Sequence, residues 1–434
     1  MIYQDDHSGD LLSTFLESLQ EVEWRKLGMV ELRPRAKTVN EVVNGDYDFV
    51  VNSEDLALIL SVFLRACENH KVHMKVTRPS PNKRIIQLIK ASQAVTVELW
   101  LNVELSASSG IPIRQVLSGR ELVNHLQGHS AEHAIAVKSA VYLTHLYFKN
   151  KDVEGPLQQA RVAGFHDSLT QSGNPNHEAL LRIYSRIHSR NDCLRQEELE
   201  EFNRDATSWL RSIGLKPRLS YFRRTRSYLR RVTALRNFVP VIGADGAGKT
   251  TLCEQLVQES PELYVRLIYK SLFRNLEYES LYQVSLLFFP AKEKNKFDEQ
   301  VSGYVILKSV AVLLLLGWTM RPRGKIALLD RYGWDWLVKG IRRPEILPGQ
   351  ISLYSLFSLL IPRPANTIVA FCHPEEIISR KPEELSKEQL IFICEQYVEI
   401  VTVGRAGDVF FCNTELSLKE SGVSLENFLN HSSG

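Results

Sequence analysis

The chain has no closely spaced cysteines: its six, at positions 67, 193, 253, 372, 394 and 412, are scattered. That excludes the paired spacing of a zinc ribbon or a thiol redox motif, and it suits reduced, mostly buried thiols in a cytoplasmic protein. Charge of one sign is also in short supply, with a net charge of +3 over 434 residues. Such a balance does not by itself argue for nucleic acid or an anionic membrane as partner. Nor is there a bilayer-length apolar run. The most apolar stretch, 305–318, is interrupted by Lys308 and is shorter than the roughly 20 residues a spanning helix needs. A buried helix beside a sheet is expected there. Residues 1–10 are acidic and polar, unlike a secretion signal. No repeat or low-complexity tract stands out. What remains is a soluble globular composition, 44% hydrophobic and 24% charged, on a chain long enough for two or three domains.

Three stretches differ in pattern. Residues 1–105 alternate: a helix over 11–26, a strand at 29–32, a β-rich run at 47–51, a helix over 56–69, then strands at 72–77 and 94–101. This reads as a small α/β domain. Residues 106–237 carry helical periodicity and few strand signals, with Gly-Asn-Pro-Asn at 173–176 as the clearest loop. The end of this helical region, 216–236, holds Arg218, Arg223, Arg224, Arg226, Arg230 and Arg231 and no acidic residue. A block of like charge can attract phosphates or nucleic acid. Only Tyr221, Phe222 and Tyr228 are interleaved, so a solvated linker face is favoured over a nucleic-acid site. Residues 238–434 again alternate apolar strands with amphipathic helices, as a doubly wound parallel sheet does. The expected fold class is α/β throughout, with a helical middle.

Chemistry is written most plainly at 243–250, Gly-Ala-Asp-Gly-Ala-Gly-Lys-Thr. Gly243, Gly248, Lys249 and Thr250 fit the phosphate-binding pattern G-x-x-x-x-G-K-[ST]. Glycines let the backbone curl so that successive N–H groups point at phosphate oxygens; the lysine neutralises the outer phosphates and the hydroxyl can ligate Mg²⁺. Asp245, Gly246 and Thr251 complete the set of candidate nucleotide contacts. The flanks support the match. Residues 238–242 read as a buried strand broken only by Pro240, and 251–259 have helical periodicity.

Such a loop is shared by switches, motors and kinases, so a second motif has to discriminate. Residues 325–332 read Lys-Ile-Ala-Leu-Leu-Asp-Arg-Tyr, and a buried strand over 326–329 would put Asp330 at its carboxyl end, where parallel sheets bind ligands. Asp330 could hold Mg²⁺ or orient an acceptor, and Arg331 is a suitable fork for an acceptor phosphate. A simple Asp-Arg cap on a strand end is the alternative. Further on, Arg380 and Lys381 close a short helix before Pro382. They could form a cationic lid over a transferring phosphoryl group, or simply complement the helix dipole.

Together these pieces resemble the thymidylate kinase family of nucleoside monophosphate kinases. The likeness covers 238–434 and rests on the Asp-Gly-Ala-Gly-Lys-Thr-Thr loop and on Asp330-Arg331-Tyr332. The resemblance implies that Asp245 approaches the acceptor, Arg331 its phosphate and Arg380 the transferred group. The family's thymine-pocket pattern is not found after Tyr332, in Gly333-Trp334-Asp335-Trp336, or around residues 269–282.

A second candidate site lies at residues 44–51, Asn-Gly-Asp-Tyr-Asp-Phe-Val-Val. Strand alternation puts Asp46 and Asp48 on one face, and Glu98 on a later strand could complete a metal-binding triad. This arrangement resembles the nucleotidyltransferase fold, which holds two Mg²⁺ on such carboxylates. The family's Gly-Ser pair after the first strand is replaced here by Arg33-Pro34, and proline removes an N–H that could bind phosphate. The whole order, 1–105, 106–237 and 238–434, resembles a group of bacterial fusion proteins. The expectation is an ATP- and Mg²⁺-dependent phosphotransferase acting on a small phosphorylated acceptor, most simply a nucleoside monophosphate. Its alternatives are a nucleotide-gated regulatory or binding protein with slow hydrolysis, and a bifunctional kinase and nucleotidyltransferase.

Overall fold

The computed structural model describes residues 24, 26–32, 47–80, 82–90, 93–107, 113–149, 156–172, 177–188, 196–221, 238–268, 325–332, 334–335, 338, 364–382, 386–400 and 407–431. The architecture is mixed α/β. Two compact units divide the chain: one takes in residues 1–59, 77–88 and 93–227, the other 60–76, 89–92 and 228–434. Asp46, Arg33, Pro34, Gly333 and Trp336, the apolar run 305–318, the stretch 269–282, most of the 11–26 helix and the basic segment beyond Tyr221 lie outside the described residues.

In the first unit β1 (Met29–Glu31) runs antiparallel to β2 (Tyr47–Val51), and β2 runs parallel to β5 (Gln93–Trp100), with β4 (Lys83–Lys90) next to β5. All five β2 residues are buried, as expected of an apolar strand covered on both faces. The stretch expected to be helical needs a correction. It does contain α2 (Gly119–Gly128), α3 (Ala131–Lys149), α4 (Pro156–Ser172), α5 (Glu178–His188) and α6 (Gln196–Ser212). It also contributes β7 (Ile113–Ser118) and β8 (Arg218–Tyr221), which join β6 (Asn102–Ala107) in a separate antiparallel sheet. These strands are short, and their hydrogen-bond partners lie up to about a hundred residues away in sequence, so helical periodicity on both sides masked them.

Helix α3 is apolar on most of its circumference because it is packed from several sides, against α6, β6 and α4. Val137, Val141, Phe165, Leu169, Tyr184 and Leu210 are all buried in this core, and each such side chain contributes about 1.5–3 kcal/mol by leaving water. The buried Tyr184 hydroxyl donates to the Ser139 carbonyl, which removes the cost of an orphaned phenol.

The second unit is built on a parallel sheet. Its order is β13 (Asp408–Asn413), β12 (Asn366–Phe371), β9 (Phe238–Ile242), β11 (Ile326–Asp330) and β10 (Tyr264–Ile268). Pro240 is tolerated in this central strand: β11 pairs along Phe238–Val241, whereas β12 pairs only with Val241 and Ile242, beyond the missing N–H. The chain leaves β9 towards β10 and β11 on one side and later crosses to β12 and β13 on the other. That crossover makes the carboxyl end of β9 a topological switch point, where such sheets bind ligands. Helices α7 (Lys249–Glu259), α8 (Pro374–Arg380), α9 (Lys387–Ile400) and α10 (Leu418–His431) accompany the strands. Leu252, Leu256, Leu425 and Phe428 cover the strand residues Val239, Val241, Ile368 and Phe410.

The same unit holds the latter part of α1 (Leu56–His70) and the first half of β3 (His73–Ser80), which pairs antiparallel with β13 through Met74, Lys75 and Val76. Burial pushes the Glu68 carboxyl up from 4.5 to about 7, with Arg65 pulling it down and Glu415 adding to the rise. A raised carboxylate pKa stabilises the fold below pH 4.5, and that contribution is lost as pH rises through about 7. Glu68→Gln is therefore expected to stabilise this unit at pH 8 by up to about 3 kcal/mol and to be nearly neutral at pH 4.5. Urea unfolding at the two pH values measures the difference; equal effects at both would contradict a buried, protonated Glu68.

Candidate functional site

Strand β9 ends at Ile242, and the chain turns through Gly243–Gly248 into α7. The turn depends on backbone freedom. Gly243 has φ 140°, and a Cβ there would lie 2.2 Å from the Ala370 carbonyl oxygen on β12. Gly246 and Gly248 also have positive φ, 93° and 81°. With no side chain capping its first turn, α7 turns its positive end to this concavity, an arrangement suited to an anion.

Lys249 is only 5% exposed. Its ammonium donates to the Gly243 carbonyl at 2.9 Å and the Ala244 carbonyl at 2.6 Å, and lies 3.5 Å from an Asp245 carboxylate oxygen. Burial lowers its pKa, while Asp335 and Asp245 counteract that pull. Asp245 in turn accepts a 2.6 Å bond from the Arg331 guanidinium. Arg331 hangs over the loop because it stands at φ 82°, a left-handed conformation unusual outside glycine. Its own N–H donates to the Val241 carbonyl at 3.2 Å, which helps to hold that conformation.

Asp330, 6% exposed at the carboxyl end of β11, accepts from the Thr250 hydroxyl at 2.9 Å and from the Arg266 guanidinium at 2.6 Å. The Arg266 side chain also bridges Glu254 on α7. Thr250 and Asp330 form a pair of hard oxygen donors beside the loop, and that chemistry fits Mg²⁺. Arg331 and Asp330 thus both converge on the loop, one through Asp245 and the other through Thr250. Arg380 reaches it too. Its guanidinium donates to the Gly246 carbonyl at 3.3 Å and to Glu376 at 3.1 Å, and the Lys381 stem lies alongside Gly246. Thr251 is exposed on the first turn of α7.

Several participants were not found from the sequence. Arg266 meets Asp330 only because β10 lies beside β11, with Ile268 in register with Asp330. Asp335, 4% exposed, accepts from the Tyr332 N–H at 3.1 Å and from the Tyr397 hydroxyl. Burial raises its pKa, and nearby Lys249 and Arg331 moderate the rise. Thr414 closes the far side, its hydroxyl within 3.1 Å of the Ala247 carbonyl and 3.2 Å of the Phe371 carbonyl. Tyr332 and Trp334 are buried against each other edge to face, so the tyrosine after Asp330-Arg331 serves packing.

The N-terminal candidates are arranged differently. Parallel register places Asp48 opposite Glu98. Asp48, 2% exposed, accepts from the Trp100 indole at 3.1 Å, while Glu98 forms an ion pair with Lys83. The Lys83 ammonium lies 4.6 Å from the centre of the Trp100 ring. The cation at Glu98 is therefore a lysine of the chain itself. Among the described residues no helix is long and apolar enough to cross a membrane. A scan against models of known protein families matched none of them, and a search of curated proteins found no significant match to this chain.

Proposed function

We propose that the second unit is an ATP-dependent phosphotransferase acting on a small phosphorylated acceptor, most simply a nucleoside monophosphate. The observation that carries this reading is the convergence of Lys249, Arg331, Arg380 and the Thr250–Asp330 pair on one glycine loop at a helix N-terminus. Binding phosphate alone requires only the loop and the lysine. Arginines approaching from two other segments supply what transfer needs in addition: charge spread around a loose, highly anionic transition state.

In this reading the loop amides and Lys249 grip the donor phosphates. Arg331 exchanges Asp245 for the acceptor's phosphate, and the released Asp245 faces the acceptor. Arg380, now hydrogen-bonded to the Gly246 carbonyl at the rim of the loop, swings onto the transferring group. Thr250 and Asp330 would hold Mg²⁺, which supplies charge neutralisation between the phosphates. The buried Asp335 carboxylate favours the charged forms of Lys249 and Arg331 electrostatically.

A second reading also has an observation behind it. Lys249 is satisfied by two loop carbonyls and Arg331 by Asp245, so nucleotide binding has internal contacts to replace, as in a nucleotide-gated binding protein. Acceptor dependence separates the two. ADP release from ATP should rise at least tenfold with nucleoside monophosphates or sugar phosphates, and not with unphosphorylated sugars. A slow rate that no acceptor changes would overturn the transferase reading in favour of the gated one.

A further inference from the structure

Far along the chain from the glycine loop, the first unit gathers three histidines. His125 lies in the last turn of α2, His129 just beyond it, and His133 in the first turn of α3. The helix breaks between them: α2 ends at Gly128 and His129 is extended, with φ −124° and ψ 171°. Residues spaced four apart would lie along one face of a continuous helix; the break instead turns the chain so that all three rings meet. One ring nitrogen from each lies within 4.8 Å of the other two. The ring centroids are 4.2, 4.7 and 5.0 Å apart.

Two details go beyond proximity. The Nδ1 of His129 lies 2.7 Å from the His125 carbonyl, which can only accept, so His129 carries its proton on Nδ1 and its lone pair on Nε2. A backbone carbonyl fixing the tautomer in this way is the usual support of a metal-binding imidazole. Then the Nε2 atoms of His125 and His133 face each other at 2.8 Å. One must present a lone pair, and a metal would use both. Two nitrogens on a tetrahedral Zn²⁺ stand about 3.3 Å apart at the usual bond length, so loading requires an adjustment of about half an ångström. The frame around them is built: Ser130 accepts the His133 N–H at 3.3 Å on its side chain and the Ala134 N–H at 2.9 Å on its carbonyl, capping α3. Trp209 and the buried His177 back the His133 ring at 6.2 and 6.5 Å.

From this geometry we infer that His125, His129 and His133 form a binding site for a divalent transition-metal ion, Zn²⁺ foremost. Three neutral imidazoles suit Zn²⁺ over Mg²⁺ or Ca²⁺, which take oxygen donors. They leave the fourth tetrahedral position to water or to an external donor. The inference is independent of the phosphotransferase reading. It shares no residue with that site.

The test uses the full chain, stripped with chelator and dialysed against buffered Zn²⁺ at micromolar concentration. One Zn²⁺ per chain is expected by elemental analysis, and Co²⁺ in its place should give the intense visible absorption of a tetrahedral complex. His129→Ala and His133→Gln should each weaken binding at least tenfold, while His166→Ala, a histidine outside the cluster, should leave it unchanged. Because His129 is exposed, its substitution tests the ligand set without disturbing the core. The proposal is overturned if the wild type retains no stoichiometric Zn²⁺, or if both cluster variants bind it as well as the wild type does.

Discussion

Lys249→Ala is expected to reduce ATP turnover by about 100- to 1,000-fold, the usual cost of removing one preorganised donor from a charge-stabilising site. The ammonium is buried and already within 2.6–2.9 Å of two loop carbonyls, so few other groups could take its place. Its removal also takes away a cation that moderates the raised pKa of Asp335, which would then favour its neutral form more strongly. The fold should survive. Losing the lysine leaves two carbonyls short of a donor, at about 1–3 kcal/mol, but it also ends the burial of a charge. Lys249→Arg should not restore activity, since a planar fork does not replace a compact ammonium in a tight site. A coupled ADP assay beside a thermal melt distinguishes these effects. Wild-type turnover in a folded Lys249→Ala protein would remove the loop from the chemistry.

The second large effect concerns stability. Gly243→Ala would put a methyl group 2.2 Å from the Ala370 carbonyl, and the obstacle is main chain in a central strand, which cannot swing aside. Added to the strain of an L-residue at φ 140°, this should destabilise the second unit by about 3 kcal/mol or more. Gly248→Ala provides the graded comparison. There φ is 81°, and the new Cβ would meet the Thr414 side chain at 3.4–3.6 Å, ordinary contact distance. Only the conformational cost of about 1–2 kcal/mol should remain. Urea titrations should therefore rank the two far apart, and equal losses would show that strain rather than the β12 contact dominates at Gly243.

The sequence made the local parts of this site legible and left the rest obscure, for a physical reason. A tight turn at a helix N-terminus makes demands on consecutive residues, so Gly243, Gly248, Lys249 and Thr250 could be recognised together. A buried apolar run ending in Asp330-Arg331 is equally local. Arg266 and Asp335 are a different case. Arg266 matters through the register of β10 on β11, and Asp335 through a contact with Tyr397 made 62 residues away. No short pattern encodes either. The strands β7 and β8 were missed on the same ground, since β8 pairs with a strand that ends 100 residues earlier. His125, His129 and His133 were visible as a four-residue spacing, but a continuous helix would have spread them along one face. The break that gathers them is marked locally, by Gly128 at the end of α2 and by Ser130 capping α3.

The contact between Gly243 and Ala370 bears on how this domain can be recombined. The loop does not carry its own walls: one side of its concavity is the backbone of β12, more than a hundred residues downstream, pressed too close to admit a methyl group. Strand, loop and helix therefore do not form a transplantable cassette. A chimera joined between α7 and β12 would set one parent's turn against another parent's strand, with no side chain between them to absorb a mismatch. Crossover points that preserve the grip lie before β9 or after β12, and everything between them has to be exchanged as one piece.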